Sequence, residues 1–564
     1  MANFSTPILS SYTIFSPACA FPVLNHRRKL SCRAANGDRE GSKDSGAAPG
    51  RRNLLIGLGG LYGAAATAAG LSTDLNAAFA APIQPPVDCG PATDVPSGVS
   101  PPNCCPPVST SIDFRFPSRS SPLRVRPAAH LVDADYLAKY TKAVQLMKDL
   151  PASDPRNFTQ QANVHCAYCD GAYDQAGFPD LELQIHSSWL FFPWHRCYLY
   201  FHERILGKLI GDDSFALPFW NWDAPAGMQI PAIYTTSSSS LYDPRRDPSH
   251  QPPVIADLDF SLGQPTGSGQ ALIDDNLKIM YRQLMNKRAR PELFMGAAYR
   301  AGDNPNPGAG SLENVPHNTM HIWTGDSRQP NREDMGVLFS AARDPIFYAH
   351  HSNIDRLWEV WKTLGGRVFT DSDWLNAGFL FYDENAQLVK VKVSDCVDTE
   401  KLRYTYQKIE NPWINAKPAP AGTGKGVAPK VEPTFPVTLD KANVVASAKR
   451  PARSGRSGDE EEVLVVEGIE YQQDAYIKFD VYVNASAAAV LRPAVSECAG
   501  SFVHVPHAHG KGRKGATAGK STLKLGIANL IAEIGAAADD SLVVTLVPRI
   551  GTAKVAGLSI VLLS

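Results

Sequence analysis

The sequence predicts a mainly α domain, a four-helix bundle core around a two-metal site with long loops, followed by a smaller all-β sandwich domain. Three observations predict it. Apolar residues recur at helical spacing in four segments between residues 133 and 364. Six histidines fall in two short windows of that span: His165, His186 and His195, then His317, His321 and His351. Beyond residue 463 the pattern becomes short β-branched runs with turn residues between them.

Residues 1–80 read as a bipartite chloroplast and thylakoid targeting segment. The first 37 positions hold no Asp or Glu but do hold Ser, Arg and Lys, a plastid-transit composition. Arg51-Arg52 precede an uncharged Ala/Gly/Leu stretch from Asn53 to Thr73, and Ala78-Phe79-Ala80 is a small-x-small cleavage pattern, which together suggest a Tat-type signal. The stretch is about long enough to span a bilayer, but its Gly and Ala content makes it weakly hydrophobic. Two addresses in series imply the chloroplast and then the thylakoid lumen. The mature chain is expected to begin near Ala81 and to carry no stable membrane span.

Residues 81–411 are expected to form the first folded domain, opening with a Pro-rich arm to about Val125. Asp133 to Leu150 predicts a helix: Asp133 caps it, Leu137, Tyr140, Val144 and Met147 form one stripe, and Pro151 follows. Ser187 to Ile210 is a second, strongly apolar candidate whose regular part starts late because of Pro193. Ala271 to Arg288 is a third. Asp344-Pro345 opens a fourth that runs to about Leu364. Residues 412–462 read as a Pro-, Gly- and charge-rich linker open to proteolysis. Residues 463–564 carry the sandwich strands.

Bulk properties narrow the function classes. Of 564 residues, 44% are apolar and 20% charged, an ordinary globular balance. The net charge of -1 provides no basic field for nucleic acid. Cys89, Cys104, Cys105, Cys166 and Cys169 cluster early in the mature chain. Two disulfides among them would staple the arm in an oxidising compartment, with the pairing open at this point. Cys166-Ala-Tyr-Cys169 also matches a redox C-x-x-C, a reading that the adjacent His165 disfavours.

Three imidazoles can hold a first-row metal and leave coordination positions open. His317 and His321, four apart, share one helical face, and His351 supplies a third ligand from the Asp344 helix. Asp355, one turn later, can orient that helix or a ligand ring. On the other side, His165 is expected from a loop, His186 just before the apolar run and His195 inside it. His202 and His350 read as neighbours of the site rather than ligands. His504, His507 and His509 read as a solvated turn. Two three-histidine sites without a bridging carboxylate favour two copper ions. A single such site would leave zinc hydrolysis plausible.

The stretches 165–169 (HCAYC), 184–196 (QIHSSWLFFPWHR), 313–324 (ENVPHNTMHIWT) and 344–356 (DPIFYAHHSNIDR) resemble plant polyphenol oxidases, the catechol oxidases and tyrosinases with a type 3 dicopper centre. The resemblance implies one copper on His165, His186 and His195 and a second on His317, His321 and His351. It implies a thioether between Cys169 and His186, and disulfides Cys89–Cys105 and Cys104–Cys166. Glu313 matches an acidic residue that orders a water near the second copper, with Asn318 as its partner; together they could deprotonate a phenol. Leu338 falls where the family usually has a bulky gating Phe, which suggests a more open entrance. Tyr404-Thr405-Tyr406 resembles the tyrosine motif that closes the catalytic domain.

The expected activity is oxidation of o-diphenols to o-quinones with reduction of O2 to water, with ortho-hydroxylation of monophenols as an added capacity. The enzyme would be latent beneath its β-domain until a protease cuts between about Pro412 and Glu462. The competing reading is a hemocyanin-like reversible dioxygen carrier. The Asn-x-Ser/Thr matches at Asn157 and Asn484 are expected to stay unmodified.

Overall fold

Asp133 accepts the Tyr136 N–H and opens helix α1 (Ala134–Asp149), whose Tyr140, Val144 and Met147 are buried. The computed structural model describes residues 81–563 except 97, 263–267, 286–289, 422–425, 453–459, 486–490 and 508–517, all within one unit, Asn76–Ser564. The targeting segment 1–80 and His509 lie outside the described residues. Among the described residues, no helix is long and apolar enough to cross a membrane.

Helix α2 (Phe158–Cys169) replaces the loop expected around His165. Asn157 caps it by accepting the Thr159 N–H at 2.8 Å and also donates to the Leu150 carbonyl at 2.7 Å. The helix is buried on nearly every side, so no polar stripe betrays its period. Helix α3 (Phe191–Ile210) takes Pro193 in its first turn, where no N–H is needed, and ends at Gly211 with φ +68°. Helix α4 (Gln270–Met285) carries none of the six histidines. A π-helical turn, Glu313–Asn318, leads into α5 (Thr319–Thr324). Helix α6 (Ile346–Thr363) opens with Asp344 accepting the Ile346 N–H at 2.9 Å. It packs against α3, which also carries α1.

A buried ionic network joins both ends of this helical domain. Strand Arg124–Arg126 pairs in parallel with Tyr404–Tyr406. Glu203 on α3 accepts from Arg124 Nε at 2.7 Å and Arg126 Nε at 2.8 Å. Asp355 on α6 accepts from Arg196 Nε at 2.6 Å, Arg126 Nη1 at 3.2 Å and the Tyr404 hydroxyl at 2.7 Å, and from the Tyr406 hydroxyl. Asp355 therefore anchors helices through this network. Cys89–Cys105 and Cys104–Cys166 are disulfide-bonded and fasten the arm to α2. Cys166 is thus engaged away from Cys169, and the C-x-x-C reading falls.

The C-terminal part holds two antiparallel sheets around one apolar cluster. Its strands are β1 (Val437–Leu439), β2 (Val444–Lys449), β3 (Glu461–Gln472), β4 (Ile477–Val483), β5 (Cys498–His504), β6 (Ala518–Gly526), β7 (Ser541–Ile550), β8 (Ala553–Val555) and β9 (Gly557–Leu563). One sheet runs β6-β3-β8-β1, with β9 also on β3; the other runs β5-β4-β7-β2. Strands β1 and β2 lie inside the stretch expected as linker. They are short, and the surrounding Pro and charge masked their alternation.

The sheets meet the helical domain through buried polar contacts. Lys478 Nζ on β4 donates to Asp259 at 2.8 Å, Ser261 at 2.9 Å and Asp480 at 3.1 Å. His504 and His507, expected on a solvated turn, are buried: the His504 ring is hydrogen-bonded to the Gln473 carbonyl and His507 N donates to it.

Candidate metal centre

Helical segments supply five of the six histidines: α2 His165, α3 His195, the π turn and α5 His317 and His321, and α6 His351. His186 comes from the loop before α3. The two triads face each other. The His195 and His351 rings stack at 4.1 Å with an interplanar angle of 10°, and His186 stacks on His317 at 5.9 Å. Phe347 wedges its ring between His165 (4.9 Å) and His351 (4.2 Å), and Phe191 sits edge-on to His317 at 4.6 Å. Each Phe lies four residues before a ligand on the same helix, so spacing could have identified both.

Oxygen partners fix which ring nitrogen faces inward. Nδ1 of His165 meets the Leu338 carbonyl at 3.1 Å, that of His186 Gln184 Oε1 at 3.3 Å, and that of His195 the Phe191 carbonyl at 2.8 Å. Nδ1 of His317 meets Asn318 Oδ1 at 2.9 Å, and that of His321 the Met335 carbonyl at 2.8 Å. Each such Nδ1 carries the proton and leaves Nε2 a lone pair. The Nε2 atoms of His165, His186 and His195 are buried with no hydrogen-bond partner among the described residues. His321 Nε2 lies 3.2 Å from His317 Nε2 and 3.3 Å from His351 Nε2. Nitrogens about 2.0–2.1 Å from one tetrahedral ion sit roughly 3.3 Å apart. Burial also pushes all six imidazoles down, His165 to about 3 and His321 to about 4, so they are neutral and able to bind a metal.

His350 shares this neighbourhood. Its Nδ1 accepts the Trp222 indole N–H at 3.1 Å, which leaves the proton on Nε2 and no free lone pair for a metal. His202 lies further off, stacked on Tyr348 at 3.6 Å.

Matches to known proteins follow this geometry. Residues 155–364 match the common central domain of tyrosinase, 369–419 the polyphenol oxidase middle domain and 435–562 the chloroplastic polyphenol oxidase C-terminal domain. A chloroplastic polyphenol oxidase of Malus domestica is 50% identical, with 99% of each chain covered. The chain belongs to the plant polyphenol oxidases. The chloroplastic (+)-larreatricin hydroxylase of Larrea tridentata is 48% identical over 94% of this chain and 93% of that protein. The structure of latent apple tyrosinase is 53% identical, superposes with a TM-score of 0.75, and matches 81% of this chain and 100% of that one. This polyphenol oxidase is therefore an enzyme of the catechol oxidase and tyrosinase type, and the dioxygen-carrier reading is not favoured.

Three expected site residues lie beside the triads of this polyphenol oxidase. Glu313 Oε1 accepts the Ser187 N–H at 2.6 Å, and Ser187 is held at φ +53° directly after His186. Burial lifts the Glu313 carboxyl to about 8 against the pull of the Ser187 and Gly310 N–H groups. Asn318 links His317 to the Val503 carbonyl of β5 at 3.0 Å. Leu338 is buried and reaches the site through its carbonyl on His165. Cys169 is a buried free thiol whose carbonyl accepts from Gln184, the side chain that also holds His186. Val503 and Val505 join the apolar cluster of the helical domain.

Proposed function

We propose that the two triads hold two copper ions and that the enzyme oxidises o-diphenols to o-quinones while O2 is reduced to water. One observation carries the reading: two facing sets of three neutral imidazoles, with no carboxylate among the donors. Such a donor set suits redox copper better than a hydrolytic ion. Held by these six imidazoles, copper would supply the redox chemistry between phenol and dioxygen, and its charge would favour the carboxylate form of a nearby acid. Gln184, Asn318 and the Phe191, Leu338 and Met335 carbonyls hold five of the six ligand rings in one tautomer. Phe191 and Phe347 exclude water. Glu313, with Asn318 beside it, takes the phenolic proton as substrate approaches, which extends the reaction to monophenols. A Cys169–His186 thioether would fix the second ligand further.

The chain is read as a latent precursor, delivered through the chloroplast to the thylakoid lumen. Its β-domain would cover the site until a protease cuts between about residues 412 and 462. Leu338, where the family usually has a gating Phe, would leave a more open entrance. Oxygen uptake with catechol, before and after limited proteolysis of the copper-loaded chain, tests the reading. Quinone formation that rises on cleavage, with two coppers per chain, supports it. Reversible O2 binding with little quinone would return the carrier reading, and zinc in place of copper would return the hydrolase.

A further inference from the structure

Cys197 and Cys396 are two buried free thiols on helices that pack against each other. Cys197 lies on α3, and Cys396 ends the short helix Val393–Cys396, which packs on α3. Both are buried and neither takes part in the two existing disulfides. Cys396 Sγ sits 3.6 Å from the carbonyl of Pro193, the residue one turn before Cys197 on the same strip of α3. Backbone on both sides is pinned: Arg196, next to Cys197, donates from Nη1 to the carbonyls of Cys396 at 3.2 Å and Val397 at 3.3 Å. Asp395 accepts the Lys392 N–H at 2.9 Å.

We propose that Cys197 and Cys396 form a redox-convertible pair that closes to a third disulfide. It ties the helix bearing His195 to the segment leading into Tyr404 and Tyr406. The oxidant is a small disulfide of the glutathione type, acting while the pair is exposed during folding or local opening. One protein sulfur attacks the donor and releases the first donor thiol. The second protein sulfur then attacks that mixed disulfide and releases the other. Two protein S–H bonds and one donor S–S bond are lost, one protein S–S bond forms, and the two protons end on the two released thiols. The chain already completes this chemistry at Cys89–Cys105 and Cys104–Cys166. The new bond closes a far longer loop than either, so it restricts the unfolded chain more.

The full chain, folded at several ratios of reduced to oxidised glutathione, is acid-quenched, alkylated in denaturant and mapped by mass spectrometry without reduction. The expected result is a joined peptide pair containing Cys197 and Cys396, lighter by two hydrogens. Its fraction rises with the oxidised share, while Cys498 is alkylated throughout. Full alkylation of Cys197 and Cys396 at every ratio, with both arm disulfides formed, overturns the proposal. Pairing of either residue with Cys169 or Cys498 overturns it equally. Cys396→Ser abolishes the joined peptide and leaves Cys197 alkylated; a Cys197 crosslink that persists in that variant also counts against it.

Discussion

The side-chain amide of Asn318 is divided between the metal centre and the β-domain: Oδ1 accepts from His317 at 2.9 Å, and Nδ2 donates to the Val503 carbonyl at 3.0 Å. Val503 is held from its other side as well, because its N–H donates to Asn314 Oδ1 at 3.1 Å. One residue of β5 is thereby fastened to the π turn that carries His317. The β-domain thus engages the amide next to His317.

Asn314→Ala removes one of these two fastenings and leaves the Val503 N–H without that acceptor. A hydrogen bond of this kind contributes about 0.5–1.5 kcal/mol, which is about a two- to thirteenfold shift in an undocking equilibrium. The uncleaved variant should oxidise catechol several-fold faster than the uncleaved parent, while the cleaved forms agree. Oxygen-electrode rates on the four preparations check this. Equal rates for the uncleaved pair would show that Val503 does not hold the β-domain in place.

Buried Asp259 sets a pH dependence for docking. Burial raises the Asp259 carboxyl to about 7 despite Lys478 beside it. Released into solvent, its pKa returns to about 3.9. Between those values the docked form binds more protons than the released form, so docking tightens as pH falls from about 7 toward 4. Asp480 behaves oppositely: burial pushes it up, but the Lys478 and Arg549 charges outweigh that and hold it at about 2. Its stabilisation of the sandwich is present above its unfolded pKa and fades as pH falls from about 4 through 2. Protection of the linker from a pH-tolerant protease should therefore be greater at pH 5 than at pH 7.5 and collapse at the acid end. Greater protection at pH 7.5 would contradict the Asp259 assignment.

Asp355→Ala should be among the most destabilising single changes. It leaves the Arg196 and Arg126 guanidinium groups in a buried site without that counter-charge. Breaking such a network costs about 3–5 kcal/mol. The loss should appear as a lower denaturant midpoint for the helical domain, whereas a change under 1 kcal/mol would mean that Glu203 and Glu359 carry the network without it.

What the sequence makes legible follows from spacing and chemistry. His317 and His321 announce a shared face, Asp133 and Asp344 announce helix starts, and alternation announces most of the β-domain. Helix α2 is hidden because burial on nearly all sides erases the polar stripe that marks a helix. Strands β1 and β2 are hidden because a few alternating residues cannot outweigh the charge around them. The roles of Gln184, Val503 and Phe347 depend on residues far apart in sequence meeting at the triads. His504 and His507 look solvated beside Gly and Lys, yet the Gln473 carbonyl draws them into the interior.

His202 offers a substitution expected to strengthen the enzyme. Both its ring nitrogens are buried without a hydrogen-bond partner among the described residues, and burial holds the ring neutral, with its pKa lowered to about 3. Its surroundings are aromatic: Tyr348 stacked at 3.6 Å and Phe158 edge-on at 6.2 Å. An unsatisfied buried polar group costs about 1–3 kcal/mol, and His202→Phe removes two such atoms while keeping a flat ring. The larger ring must be absorbed by repacking, which offsets part of the gain. The variant should melt higher by a few degrees, with copper content and catechol turnover unchanged, because the ring touches no member of either triad in the described structure. A lower melting temperature would mean that the pocket has no room for the added volume. A loss of copper would mean that His202 belongs to the metal centre after all.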